Sequence, residues 1–185
     1  PIYNGTSITF DGSNDYFSGG DILDVGLAEG WTVIVVGKND TGTGYSTFIA
    51  KSFHDGTDNR YSILDHQNGI QSLWDDGSSD ANVSPISGSH SANANAIMEL
   101  SVDRNSKVHR FYKNGTQIGI DKTINQNNEY NMAANNNFLV GAYNDVSGTG
   151  IQADLYLNGA ISEIMIYDRK LTNDERAKIN YYLSK

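Results

Sequence analysis

The fold is decided by residues 155 to 175, which read Leu155-Tyr156-Leu157-Asn158-Gly159-Ala160-Ile161-Ser162-Glu163-Ile164-Met165-Ile166-Tyr167-Asp168-Arg169-Lys170-Leu171-Thr172-Asn173-Asp174-Glu175. Apolar runs rich in β-branched and aromatic residues flank Asn158-Gly159, a pair that can take positive φ at both central positions of a tight turn. The pattern therefore predicts a hairpin at this pair, a strand that ends at Tyr167, and then a short helix.

The helix has clear start and packing signals. Thr172 followed by Glu175 fits a capping box, in which each side chain serves the other residue's backbone N–H. Ile179, Tyr182 and Leu183 lie on one helical face at spacings of three and four, so the helix is expected to pack on the body of the protein and to close the chain.

Upstream, short apolar runs alternate with segments rich in Asn, Ser, Gly and Asp, a mixture typical of antiparallel β structure. Asn68-Gly69 and Asn114-Gly115 are hairpin candidates. The predicted strands are Ser7–Phe10, Tyr16–Phe17, Trp31–Lys38, Ser46–Lys51, Arg60–Asp65, Gln71–Asp75, Ile97–Asp103, Val108–Lys113, Thr116–Gly119, Phe138–Ala142, Ala153–Leu157 and Ala160–Tyr167.

Two of these strands, 31–36 and 161–167, are apolar on both alternations and should be central strands covered on two faces. In the strand 97–103, apolar side chains alternate with Glu99, Ser101 and Asp103, which predicts one buried face and one solvated polar face. A dozen strands with a single helix indicate a two-sheet antiparallel sandwich or jelly roll.

Bulk composition narrows the classes of partner. The chain has 185 residues, no cysteine and a net charge of −9. Its length predicts one domain over residues 1–185, and its acidity opposes nucleic-acid binding. No apolar run is long enough for membrane insertion. The start at Pro1, without a charged and apolar leader, favours a piece excised from a longer chain.

Three stretches, residues 10–17, 99–115 and 159–175, follow one another in an order that resembles the laminin-G-like branch of the concanavalin A-like lectin/glucanase superfamily. The resemblance implies an all-β, two-sheet antiparallel jelly-roll sandwich with a short C-terminal helix. Many members of that family have Asp before the Glu of the final strand, where this chain has Ser162. A role carried by that Asp is therefore not transferred.

Catalysis is not predicted. Glucanases of the superfamily place their acids in the pattern Glu-x-Asp-x-(x)-Glu, which is absent, and the nearest pair is Glu99 with Asp103. Four residues of strand span roughly 13 Å, whereas retaining carboxylates lie about 5 to 5.5 Å apart and inverting ones about 6.5 to 9.5 Å.

Calcium is the cofactor that the resemblance suggests, because jelly-roll lectin domains often hold Ca²⁺ and hard cations bind oxygen-rich loops. One structural Ca²⁺ would be held by Asp11, Asn14 and Asp15, with Glu163 joining them if the two chain ends meet. A second candidate set is Asn144, Asp145 and Asp154. The alternative is that these Asp and Asn residues simply form turns.

Glycan binding needs an aromatic platform and fixed polar groups. Trp31 opens an apolar strand and is predicted to lie in the core, whereas Trp74 at a strand end is either a core residue or a sugar platform. The predicted ligand-binding residues are Trp74, Asp75, Asp76, Arg60, Tyr143 and Asn144.

The first functional hypothesis is a non-catalytic recognition module for a glycan or cell-surface polysaccharide. It would lie outside the cell, on a cell surface or on a virion, next to other domains of a bacterial surface protein or phage tail or fibre protein. The second is a structural or protein-interaction domain without a sugar site. The third is a glycan-cleaving enzyme with divergent acids.

Overall fold

The computed structural model describes residues 1–25, 30–41, 44–52, 60–66, 69–75, 80–83, 92–124, 136–145, 147 and 150–185. Thirteen strands are described: β1 (Ile2–Tyr3), β2 (Ile8–Asp11), β3 (Phe17–Ser18), β4 (Gly30–Asn39), β5 (Tyr45–Lys51), β6 (Arg60–His66), β7 (Ile70–Asp75), β8 (Asp80–Val83), β9 (Ala96–Asp103), β10 (Val108–Lys113), β11 (Thr116–Thr123), β12 (Phe138–Val140) and β13 (Asn158–Tyr167). A 3₁₀ turn spans Ala153–Leu155, and helix α1 spans Asn173–Leu183.

The strands form two antiparallel sheets that face each other, so the predicted jelly-roll sandwich is confirmed. The first sheet has seven strands in the order β1-β2-β13-β4-β9-β10-β11. The second has six in the order β3-β12-β5-β6-β7-β8. Apolar side chains from the inner faces of both sheets form the main core.

Strand β4 lies at the centre of the first sheet, as its two apolar faces predict. Val33 and Val35 point into the main core, while Ile34 on the opposite face joins a second apolar cluster with Leu171 and Ile97. Helix α1 contributes to that second cluster. The helix therefore supplies the second cover that a strand apolar on both faces needs.

The two ends of the chain lie side by side. Strand β13 pairs with β2 through Asn158 opposite Asp11 and Ile161 opposite Ile8. The predicted hairpin at Asn158-Gly159 is wrong, since both residues belong to β13. Gly159 lies against the backbone of Lys38, where a Cβ atom would stand 2.1 Å from the carbonyl oxygen. This glycine permits close approach of two strands rather than a turn.

The segment before β13 also departs from its prediction, because the expected strand Ala153–Leu157 is a 3₁₀ turn at Ala153–Leu155. The Asn114-Gly115 hairpin is confirmed: φ is +50° and +77° at the two residues, and Lys113 pairs with Thr116. Strands β6 and β7 form the other expected hairpin. Its Asn68 lies outside the described residues.

Helix α1 begins with the predicted capping box between Thr172 and Glu175. Ile179 and Leu183 pack on the second apolar cluster, but Tyr182 is 66% exposed, so its predicted packing is wrong. Arg176, Ile179 and Leu183 share the line that faces the sheet, and Tyr182 lies to one side of it, about 60° from Ile179 and about 100° from Leu183. No helix among the described residues is long and apolar enough to cross a membrane.

The polar face of β9 is buried, contrary to the solvated face that the alternation predicts. Helix α1 lies over it, and Glu99 is 1% exposed. The Arg176 Nε donates to the Glu99 Oε1 at 2.7 Å, and the same guanidinium lies 3.9 Å from the ring centroid of Tyr112. Burial raises the pKa of Glu99, although the hydrogen bond and the charge of Arg176 oppose the rise.

Candidate functional site

Trp74 lies inside the sandwich. Its side chain is fully buried and stacks on Tyr61, with 6.5 Å between the ring centroids. Trp31 also packs on Tyr61, with 5.9 Å between the ring centroids, as expected of a core residue. A buried indole offers no ring face to a sugar, so the predicted stacking role of Trp74 does not fit the structure.

Of the other predicted ligand residues, only Tyr143 and Asn144 have described side chains. Arg60 and Asp75 are paired at the ends of β6 and β7, where only their backbone is described, and Asp76 lies outside the described residues. Tyr143 and Asn144 are buried. The Tyr143 hydroxyl is hydrogen-bonded to the Ser52 hydroxyl, and the Asn144 Nδ2 donates to the Asn137 carbonyl at 2.8 Å.

The first predicted calcium set is only partly brought together. Asp11, Asn14 and Asp15 share the turn after β2, where the Asp11 carboxylate accepts from the backbone N–H groups of Ser13 and Asn14. These hydrogen bonds lower the pKa of Asp11. They match the alternative in which the residues build a turn.

Glu163 does not join those residues. Asp11 is paired with Asn158, and five residues of strand separate Asn158 from Glu163, which is about 16 Å. In the second set, Asn144 is buried while Asp154 is exposed on the 3₁₀ turn. Among the described residues, no group of three or more His, Cys, Asp or Glu side chains is arranged to hold a metal ion. The structural Ca²⁺ stays a prediction.

A cleft of about 670 Å³ lies between the end of α1 and the outer face of the first sheet. We call it the helix cleft. Val36, Ile97 and Leu183 supply apolar surface. Its polar lining consists of Asn95, Asn114, Asn180, Ser162, Ser184 and Lys185, and its aromatic residue is Tyr181.

Two exposed amides of the helix cleft keep hydrogen-bonding groups that have no partner in the described part of the chain. The Asn114 Oδ1 accepts from the Ile97 backbone N–H at 2.8 Å, which fixes the side chain. No described residue accepts from the Asn114 Nδ2 or bonds to the Asn95 amide. At the wall of the cleft, the Asn180 Nδ2 donates to the Arg176 carbonyl at 3.0 Å, and the Asn180 Oδ1 has no described partner.

The aromatic residue of the helix cleft is unusually open. Tyr181 is 68% exposed, and the Lys185 ammonium lies 4.2 Å from its ring centroid. An exposed ring beside amide groups can contact the apolar face of a sugar while the amides bond to its hydroxyls. Lys185 is the single charged side chain among the described residues that line the cleft.

Only indirect signals of this site are present in the sequence. Asn114 was identifiable as a turn residue, and its turn brings it towards the end of α1. Tyr181 lies off the apolar line of the helix, which signals an aromatic ring left in solvent. Asn95 carries no signal in the sequence, because its place in the cleft follows from the docking of α1.

The positions of the acids give no support to the glucanase chemistry considered above. Glu99 is buried under α1 and paired with Arg176. Asp103 pairs with Lys170 at 2.7 Å; burial opposes the shift, but hydrogen bonds from Lys170 and Ser106 lower the pKa of Asp103 to about 2. Each of the two carboxylates thus holds together parts of the fold.

The chain belongs to the concanavalin A-like lectin/glucanases superfamily, whose laminin-G family model matches residues 11–175. This match confirms the family predicted from the three stretches. A search of curated protein sequences found no match.

Solved structures share this fold at low sequence identity. The NanB sialidase of Streptococcus pneumoniae is 20% identical with a TM-score of 0.68, over 96% of this chain and 28% of the sialidase. The CBM40 module of the Ruminococcus gnavus IT-sialidase, bound to α2,3-sialyllactose, is 13% identical with a TM-score of 0.64, over 91% of this chain and 97% of the module.

Domains LG4-5 of the mouse laminin α1 chain are 12% identical with a TM-score of 0.64, over 94% of this chain and 45% of theirs. The chain thus spans about a quarter of the pneumococcal sialidase. At these identities the likeness shows the fold alone.

Proposed function

We propose that this domain is a non-catalytic recognition module that binds carbohydrate in the helix cleft. The observation that carries the proposal is the exposed Tyr181 ring, which lines the same cleft of about 670 Å³ as the Asn95 amide and the Asn114 NH₂ group. These two groups bond to no described residue. A volume in this range suits a ligand of a few sugar rings, since small-molecule sites occupy about 300 to 1,000 Å³.

The lining also indicates the chemistry of the ligand. Sugar hydroxyls both donate and accept, and an amide offers NH₂ donors and a carbonyl acceptor in one plane. One ammonium, from Lys185, allows a glycan with a single acidic group but does not require one. A highly anionic polysaccharide is disfavoured by the net charge of −9.

The relatives support a role in recognition. The R. gnavus module of similar size is bound to a sialylated trisaccharide, and in NanB the matched region is a minor part of a larger chain. By analogy, the domain would act beside other domains of an extracellular, cell-surface or virion protein. A bacterial surface protein and a phage tail or fibre protein are both consistent with this proposal.

The test is a glycan array that contains neutral and sialylated oligosaccharides, followed by calorimetry on the strongest ligand. Tyr181→Ala should weaken binding about tenfold, equivalent to about 1.4 kcal/mol for one aromatic contact, and Asn95→Ala should also weaken it. Tyr182→Ala is the matched control, because Tyr182 is adjacent, equally exposed and outside the cleft lining.

Binding that is unchanged in Tyr181→Ala would refute the helix cleft as the site. Failure of the wild-type domain to bind any glycan would refute the carbohydrate function itself.

A further inference from the structure

Strand β13 has an open edge over part of its length. It pairs with β4 from Gly159 to Tyr167, but β2 covers its other side only from Asn158 to Ile161. Burial follows the pairing: residues 159–161 are buried and residues 163–167 are half-buried. We call residues 162–167 the open edge of β13. None of the described strands pairs with it on that side.

The open edge presents backbone hydrogen-bonding groups. In an antiparallel strand, alternate residues direct their N–H and C=O groups to opposite sides. The side of residues 162–167 that faces away from β4 therefore carries donors and acceptors without a strand partner. An unpaired edge of this kind is a template for an additional strand.

An apolar groove lies directly beside the open edge. It measures about 330 Å³, and its walls include Tyr3, Ile8, Phe17, Val140, Glu163 and Ile164. Phe17 and Val140 come from the second sheet, so the groove lies where the two sheets separate at their margin. Tyr3 is 69% exposed and Phe17 is 45% exposed. These exposed apolar side chains are available for contact with an apolar side chain of a partner.

Charge indicates which partner would fit. Glu163 lines the groove and makes no ion pair or side-chain hydrogen bond with any described residue. The chain carries a net charge of −9, so a basic partner is attracted to the groove. A second copy of the chain is disfavoured, because two acidic bodies would meet at an edge where the Glu163 carboxylate has no partner among the described residues.

We propose that the open edge of β13 docks an extended, basic and apolar segment of another protein. The segment adds as a strand next to residues 162–167, places an apolar side chain in the groove, and pairs a Lys or Arg with Glu163. This interaction does not depend on the glycan site, although Ser162 lines both the groove and the helix cleft.

The probe is the peptide acetyl-Lys-Val-Lys-Val-Lys-Val-amide, titrated into the ¹⁵N-labelled domain and followed by NMR. The backbone amides of residues 162–167 should shift, whereas those of 158–161 should move less. N-methylation of alternate peptide bonds removes donors without removing side chains, and it should weaken binding about tenfold.

Charge reversal separates specific pairing from general attraction. Glu163→Lys should weaken binding of the lysine peptide about threefold and should favour the corresponding glutamate peptide. Asp154→Lys is the control with the same change of net charge, on the 3₁₀ turn that contacts β5 in the second sheet.

Three results would overturn the proposal: no shift of residues 162–167 at about 1 mM peptide, a weak-binding limit; equal binding of the N-methylated peptide; or equal effects of Glu163→Lys and Asp154→Lys. Shifts of the same amides that depend on protein concentration without peptide would instead identify a second copy as the occupant.

Discussion

Replacement of Lys51 by methionine tests a buried polar cluster of the fold. Lys51 ends β5, and its side chain is almost fully buried. Its ammonium donates to the Asp21 carboxylate at 2.8 Å and to the carbonyls of Ile22 and Asn136 at 2.9 and 3.0 Å. The Asp24 carboxylate lies 2.9 Å away. One ammonium thus fixes segments 21–24 and 136 to the second sheet.

The expected loss follows from what remains after substitution. Removal of one partner of a buried ion pair costs about 3 to 5 kcal/mol. The Asp21 and Asp24 side chains are 51% and 40% exposed, so water can replace the ammonium at both carboxylates. The two carbonyls lose their donor. We therefore expect Lys51→Met to lower the free energy of unfolding by about 2 to 4 kcal/mol.

The assay is urea unfolding at pH 7, with Lys38→Met as the matched control. Lys38 pairs with Asp40 at 2.6 Å, but both side chains are about one-third exposed, so its loss should stay under about 1 kcal/mol. If Lys51→Met destabilises the protein no more than Lys38→Met does, the buried ammonium does not hold segments 21–24 and 136 to the second sheet, and the reasoning is refuted.

Three further changes have defined outcomes. Thr172→Ala should destabilise by about 1 kcal/mol through loss of the helix cap, measured by urea unfolding; an unchanged midpoint would contradict it. Gly159→Ala should destabilise by about 1 to 3 kcal/mol, since a Cβ would strike the Lys38 carbonyl, and a change below about 0.5 kcal/mol would contradict that clash. Because burial raises the pKa of Glu99, the folded state retains its proton to higher pH than the unfolded state. Stability relative to Glu99→Gln should therefore be greatest below the ordinary pKa of 4.5 and fall as pH rises through the raised pKa; a constant difference in unfolding free energy from pH 4 to 7 would contradict that shift.

Local patterns predicted the strands and the helix cap well, because alternation and capping are short-range signals. These patterns failed where a contact with a distant part of the chain gives a residue a different environment from the one that its neighbours in the sequence predict. Gly159 has a turn composition, but its missing side chain is used for the approach of Lys38. Glu99 alternates with apolar residues, but the polar face of β9 lies under α1 because Arg176 can neutralise it.

The site was harder to predict than the fold for a related reason. Trp74 lies near the end of its strand in the sequence, yet it is buried in the core between the two sheets. A single sequence does not show which strand ends the facing sheet will cover. Tyr181 and Asn95 line one cleft because α1 lies across the first sheet. Because the two residues are far apart along the chain, no local sequence motif contains both of them.

The most direct test of carbohydrate recognition in the helix cleft is NMR of the side-chain amides during titration with the strongest glycan from the array. We predict that the NH₂ signals of Asn95 and Asn114 shift together with the ring signals of Tyr181, at one shared dissociation constant. Glycan binding that leaves these three residues unmoved, and shifts signals on the second sheet instead, would contradict the site.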